Sequence, residues 1–260
     1  MSSRLQTLFE QKKEKILSMF FTSGYPKLED TRPILSALAA SGVDLVEIGM
    51  PFSDPIADGD TIQMSSQQAL DNGITLDKIF AQLEGVREEM DIPLILMGYL
   101  NPVMQYGIER FVTKAASLGI DGVILPDLPM YEYQMFYKDL FDKHGLANIF
   151  LITPQTSEQR IREIDALSTG FIYMVSSAST TGKVGDVSSV QEAYFERIKA
   201  MGLRSPLLIG FGIHDHASFT RACEHAQGAI IGSALIKALS QGQPVEEAVR
   251  GFVGAIHHPL

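Results

Sequence analysis

Eight short aliphatic runs recur along the chain: "ILSMFF" (16–21), "VDLVEIG" (43–49), "IPLILMG" (92–98), "DGVILP" (121–126), "ANIFLI" (147–152), "FIYMVS" (171–176), "PLLIGFG" (206–212) and "GAIIG" (228–232). They are nearly continuous in apolar residues rather than alternating with polar ones. Each therefore reads as a strand covered on both faces, as in an all-parallel sheet. Helical patterns with recognisable ends lie between them. "TRPILSALAASG" (31–42) carries Pro33 near its first turn and stops at Gly42. "TSEQRIREIDALSTG" (156–170) opens on a Thr156–Gln159 capping box and closes at Gly170. Further patterns end at Gly119 and Gly145.

Eight strands alternating with helices predict a closed (βα)8 barrel of the TIM type. An open doubly wound sheet would carry a GxGxxG nucleotide fingerprint after its first strand, and none is present. The 260 residues, 45% of them apolar, suffice for one such barrel, and residues 1–260 are expected to form a single domain. Leu5, Leu8 and Phe9 at helical spacing predict an extra N-terminal helix that caps the barrel bottom. The connections from the second run to the third and from the sixth to the seventh are long, and in barrels such excess builds the active-site face.

A net charge of −10, with no stretch dominated by Lys and Arg, disfavours nucleic acid as a partner. The charged N-terminus is no signal peptide, and no apolar run approaches the ~20 residues of a membrane span, so a cytoplasmic protein is expected. The lone cysteine, Cys223, reads as a small buried residue.

Glycines follow the last three strands: "STTGKVG" after the sixth, "GFGI" with Gly210 and Gly212 at the seventh, and Gly232 with Ser233 after the eighth. Such turns let backbone N–H groups approach an anion, and a helix beginning at Gly232 and Ser233 aims its positive end at the same place. Tight turns and an ordinary helix cap are the alternative. A phosphate site is expected because the three turns follow consecutive strands.

The stretch "EIGMPFSDPIADGDTIQ" (47–63) contains four carboxylates and no cation. Asp54, Asp58 and Asp60 do not match calcium-loop spacing, so no metal is expected. No lysine lies in a strand core, which disfavours a Schiff-base aldolase. Glu47 shares a strand face with Val43, Leu45 and Gly49, opposite Val46 and Ile48. If Val46 and Ile48 face the helices, Glu47 points into the barrel, where desolvation suits it to carry a proton. A structural ion pair is the alternative for Glu47, and spacing alone leaves Asp58 as an exposed turn residue.

Together with "LMGYLNPV" (96–103), "LPDLP" (125–129), "STTG", "GFGI" and "IIGSALIK", this stretch resembles the α subunit of tryptophan synthase over essentially the whole chain. The resemblance implies retro-aldol cleavage of indole-3-glycerol phosphate to indole and glyceraldehyde 3-phosphate, with no cofactor or metal in this subunit. It implies Glu47 as general acid/base and Asp58 as the carboxylate that binds the indole N–H. Tyr173 then lies close to the glutamate, and Thr181 belongs to a closing loop. Gly182, Phe211, Gly212, Gly232 and Ser233 match phosphate-binding turns, and Phe20, Ile62, Leu125 and Ile230 look like indole-pocket walls. Residues 51–55 and 101–104 resemble loops facing a β subunit that carries pyridoxal phosphate, in an α2β2 heterotetramer.

The chain departs from the pattern at Ser179 and Thr180, where relatives have a Gly-hydrophobic pair, and at His214, which replaces a small hydroxyl residue and is expected to alter the neighbouring helix start. The competing functions are another phosphate-binding barrel enzyme, such as a sugar-phosphate isomerase, and a catalytically silent allosteric partner subunit.

Overall fold

The computed structural model describes residues 3–176, 189–210 and 212–258. Eight strands form at the expected runs: β1 (Ile16–Thr22), β2 (Leu45–Gly49), β3 (Leu94–Met97), β4 (Gly122–Ile124), β5 (Ala147–Ile152), β6 (Ile172–Val175), β7 (Leu207–Gly210) and β8 (Gly228–Ile231). They pair in parallel and in sequence order, and β8 returns to β1 to close the barrel.

Period two explains why the runs are apolar throughout. One row of side chains, including Ile16, Leu45, Ile95, Ile124, Ile149, Phe171, Tyr173, Leu208 and Ile230, fills the barrel interior. The alternate row, including Leu17, Met19, Val46, Ile48, Val123, Ile172, Ile209 and Ile231, packs under the helices. Both rows are dry, so neither face tolerates regular polar alternation. Val43 differs from expectation: it precedes β2 and joins the outer cluster, because the strand's phase begins only at Leu45.

The N-terminal helix α1 (Arg4–Gln11) caps the barrel as expected. It begins with a Ser3–Gln6 capping box and inserts Leu5 and Phe9 into the interior cluster, with Phe9 6.0 Å from the Phe171 ring. Lys12 to Asp44 (2.6 Å) and Arg4 to Asp91 (2.6 Å) tie its ends to the barrel.

Helix α2 (Thr31–Ala40) follows β1, and α3 (Asp60–Asp71) follows β2. A Thr22–Ser65 hydroxyl pair at 2.7 Å, buried on both sides, seats α3 against the end of β1. The long connection after β2 contains a ten-residue loop (50–59), α3 and a further helix over Leu76–Gln82. Helix stops at Gly42, Gly119 and Gly145 hold. The helix Glu158–Leu167 is shorter than expected at both ends. Its cap is Ser157, which accepts from the Arg160 N–H, whereas Thr156 is turned back to accept from Thr153 N–H at 2.9 Å. It ends at Ser168 in an extended conformation, before Gly170 is reached.

Because Leu5 fills the barrel floor at 1% exposure, Leu5→Ala is expected to destabilise the fold by about 2–5 kcal/mol. Urea unfolding checks this; an unchanged midpoint would mean that α1 does not close the interior.

Candidate active site

The register of β1 on β2 places Phe20 level with Glu47 and Ser18 level with Leu45. Ile16, Ser18 and Phe20 form the inward row of β1 and meet the inward row of β2, so the Glu47 carboxyl lies inside the barrel at 0% exposure. Ser18 Oγ donates to Glu47 Oε1 at 3.1 Å, while Oε2 has no hydrogen-bond partner. Desolvation pushes the Glu47 pKa up to about 8, against the opposing effect of the Ser18 hydrogen bond. Glu47 is therefore mostly protonated at neutral pH and close enough to its pKa to change state.

Asp121 shows what a structural carboxylate looks like in this barrel. It lies just before β4, accepts from Arg87 (2.6 Å), Arg4 (3.3 Å) and the Leu94 N–H (2.9 Å), and is likewise buried. Burial raises its pKa, but both arginines and the Leu94 amide work against that. Glu47 has no such cation among the described residues, which sets aside the structural ion pair.

Asp58 is half-buried rather than an exposed turn residue. Tyr99 Oη donates to its Oδ2 at 3.0 Å and accepts from the Ala57 N–H at 3.0 Å. The Phe52 ring packs on Tyr99 with centroids 5.3 Å apart, so one phenol fastens the middle of the loop. Burial raises the Asp58 pKa, and the Tyr99 hydrogen bond lowers it. Phe20, Gly49, Asp58, Ile62, Tyr99 and Pro126 all line one cleft at the carboxyl ends of β1 to β4. Gly49 is required here, because a Cβ would stand 2.6 Å from the Phe20 ring. A larger groove lies on the outer wall between helices Leu76–Gln82 and Ile108–Ser117. It is lined by the exposed pairs Arg110–Asp77 and Lys114–Glu84, so its size does not mark the chemistry.

Tyr173 rises from β6 into the interior at 5% exposure. Burial, with the Glu47 and Asp58 charges, holds its hydroxyl well above the usual phenol range, so it stays protonated. Its ring occupies the space a Cβ on Gly210 would need. Thus Gly210 serves this close approach, and Gly212, with φ +78°, makes the turn that follows. Gly232 lies beside Phe20 and caps the helix Ser233–Leu239, which starts where expected. Ile230 is inward-facing and buried. The neighbouring strands β6, β7 and β8 therefore bring Ser176, Gly212, Gly232 and Ser233 to one side of the mouth.

Leu125 packs in a different cluster from the interior row. It follows Ile124, whose side chain points inward, and the period-two alternation sends Leu125 into the outer cluster beneath the helices. Ile124 faces the interior and Pro126 lines the cleft. Thr181, Gly182, Phe211, Ser179 and Thr180 lie outside the described residues. His214 leaves the next helix intact: Asp215 caps His216–His225 in a capping box with Ser218, and the His214 ring turns back so that Nδ1 sits 2.9 Å from the Gly212 carbonyl oxygen. Cys223 is half-buried, with its thiol pushed up to about 11 by burial. Among the described residues, no three His, Cys, Asp or Glu side chains converge as a metal site, and no helix is long and apolar enough to cross a membrane.

Sequence reasoning missed Ser18 and Tyr99. Tyr99 lies in the quoted "LMGYLNPV", so its position was visible but its contact with a loop 41 residues earlier was not. Ser18 is the one polar residue within "ILSMFF".

A barrel with a protonatable glutamate inside, a tyrosine-held aspartate at the mouth and glycine turns on the opposite side narrows the family. The model for the tryptophan synthase alpha chain matches residues 6–253. The chain belongs to that family. It is 55% identical to the tryptophan synthase alpha chain of Flavobacterium johnsoniae over 246 residues, covering 95% of this chain and 96% of the relative. It is 52% identical to that of Parabacteroides distasonis over 254 residues, covering 98% and 99%. The crystal structure of tryptophan synthase subunit alpha from Legionella pneumophila superposes with a TM-score of 0.88 at 33% identity, covering 98% of this chain and 97% of that one. As a tryptophan synthase alpha chain, the protein is a lyase that cleaves indole-3-glycerol phosphate, and its family implies a beta-subunit partner.

Tyr99→Phe keeps the ring on Phe52 and removes both hydrogen bonds to the loop. It is expected to slow indole release from indole-3-glycerol phosphate about tenfold, the scale of one hydrogen bond to a charged group. A wild-type rate would show that Asp58 does not need Tyr99.

Proposed function

We propose that the chain breaks the bond between indole C3 and the glycerol side chain by a retro-aldol reaction in which Glu47 carries the proton. Cleavage requires a proton delivered to C3, stabilisation of positive charge on the ring nitrogen, and removal of a proton from a glycerol hydroxyl. The observation that carries this reading is a fully buried carboxyl, its pKa pushed up to about 8, with no cation beside it among the described residues, a group able both to give and to take a proton near neutrality. Asp58, half-exposed and fixed by Tyr99, accepts the indole N–H and offsets the charge that develops there. Phe20, Ile62 and Ile230 wall the ring, and Tyr173 stands beside the glutamate as a neutral phenol.

The phosphate sits at the turns of Gly212, Gly232 and Ser233, joined in this reading by Gly182 and Phe211, with Thr181 closing over Asp58. Backbone N–H groups supply the binding, which suits a chain of net charge −10. The indole product passes to a beta subunit that carries pyridoxal phosphate, within an α2β2 assembly in the cytoplasm; the alpha chain's own step uses no cofactor. The exposed large apolar side chains among the described residues favour an interface on the same face. Ile56, Met64, Met104, Tyr131, Met135 and Phe136 all lie on segments that follow β2, β3 or β4.

The purified chain is expected to release indole from indole-3-glycerol phosphate, slowly alone and faster with the beta subunit. Glu47→Gln and Asp58→Asn are expected to lower kcat by about 10²–10⁴-fold while still binding glycerol phosphate. Absence of indole from folded protein in both conditions would rule the reading out, and normal turnover in either variant would remove that residue from the mechanism.

A further inference from the structure

Ser18 is out of place in its layer. At its level the neighbouring strands present Leu45 on one side and Ile230 on the other, both apolar and buried. A hydroxyl in such a layer must find a partner or forfeit its hydration. Ser18 is 0% exposed, and its Oγ donates to Glu47 Oε1 at 3.1 Å, with both groups buried. Glu47 Oε2 is equally buried and has no partner. The other groups around the carboxyl do not duplicate this contact. Phe20 and Ile95 stand level with Glu47 on β1 and β3, and Tyr173, on which the charges of both Glu47 and Asp58 act, faces it from β6. No cation faces it among the described residues.

We propose that Ser18 is a positioning residue for Glu47: its hydroxyl occupies Oε1, fixes the plane of the carboxyl, and leaves Oε2 as the oxygen that exchanges the proton. This rests on the role proposed above for Glu47. During cleavage the proton leaves Oε2 for indole C3, the electrons of the broken C–C bond return to the indole ring, and the proton of the glycerol hydroxyl is taken back by the same carboxyl. Ser18 neither gains nor loses a proton in the cycle. Its donated bond favours the charged form of the carboxyl, so removing it raises the pH at which Glu47 ionises.

The test compares Ser18→Ala and Ser18→Thr with the wild type. Ser18→Ala removes one oxygen and forces no repacking. It is expected to lower kcat about tenfold with KM for indole-3-glycerol phosphate within twofold, and to move the Glu47 limb of the pH–kcat profile to higher pH. The infrared carboxyl band that Glu47→Gln abolishes is expected to titrate at a correspondingly higher pH, and Ser18→Thr is expected to restore both readouts. A Glu47 band that titrates at the wild-type pH in Ser18→Ala overturns the proposal whatever the activity. A band that shifts while kcat does not change also overturns it, since Ser18 would then tune a carboxyl without positioning it. Absence of indole release from the wild type itself marks failure of the functional reading, separately from the infrared result.

Discussion

Everything at the mouth of this barrel follows from burying one carboxyl where the surrounding layer is apolar. Glu47 is brought inside by the same period-two rule that brings in Leu45, Ile95 and Ile230, so the fold cannot place those residues without it. Its folded pKa of about 8 stands above the 4.5 of an unperturbed glutamate. A carboxyl shifted in that direction contributes stability below its unfolded pKa, and loses that contribution as pH rises towards the folded value. At neutral pH the interior therefore carries a net cost at this position. Asp121 is also raised by burial, but Arg87 and Arg4 face it and work against that shift, whereas no cation among the described residues faces Glu47.

Glu47 and Asp58 differ in what holds them. Glu47 is held by a strand, and the barrel wall decides its protonation. Asp58 is held by a loop, and Tyr99 decides its position through two hydrogen bonds across the gap between the β2 and β3 connections. In the proposed reaction, a rigid proton carrier beside a loop-mounted anion lets the ring nitrogen be gripped without moving the acid that protonates C3. The close approach of Tyr173 to Gly210 and of Phe20 to Gly49 shows how tightly the intervening space is shaped.

Most of the architecture was legible in the sequence because two-sided burial leaves an unmistakable trace: eight apolar runs, each bounded by a turn. The inward direction of Glu47 was legible for the same reason, once Val46 and Ile48 were assigned to the helices. Phase at the strand ends was not. Leu125 follows the last paired residue of β4 and packs in the outer core cluster, one residue out of phase with Ile124. Val43 differs for the matching reason at the start of β2. Asp58 could be recognised only by resemblance, since its burial depends on Tyr99, 41 residues further on. Ser18 was invisible as a partner because a single serine in an apolar strand has no meaning until the facing strand's register is known. Thr156 and Ser157 both suit a helix cap, and only the backbone path chooses between them.

The most direct measurement is the titration of the Glu47 carboxyl itself in the wild-type protein, followed by carbon NMR on glutamate-labelled chain and assigned by the resonance lost in Glu47→Gln. A midpoint near 8 is expected for a carboxyl buried beside a single serine hydroxyl. A midpoint in the ordinary range, near 4.5, would contradict the buried, neutral Glu47 on which the mechanism depends.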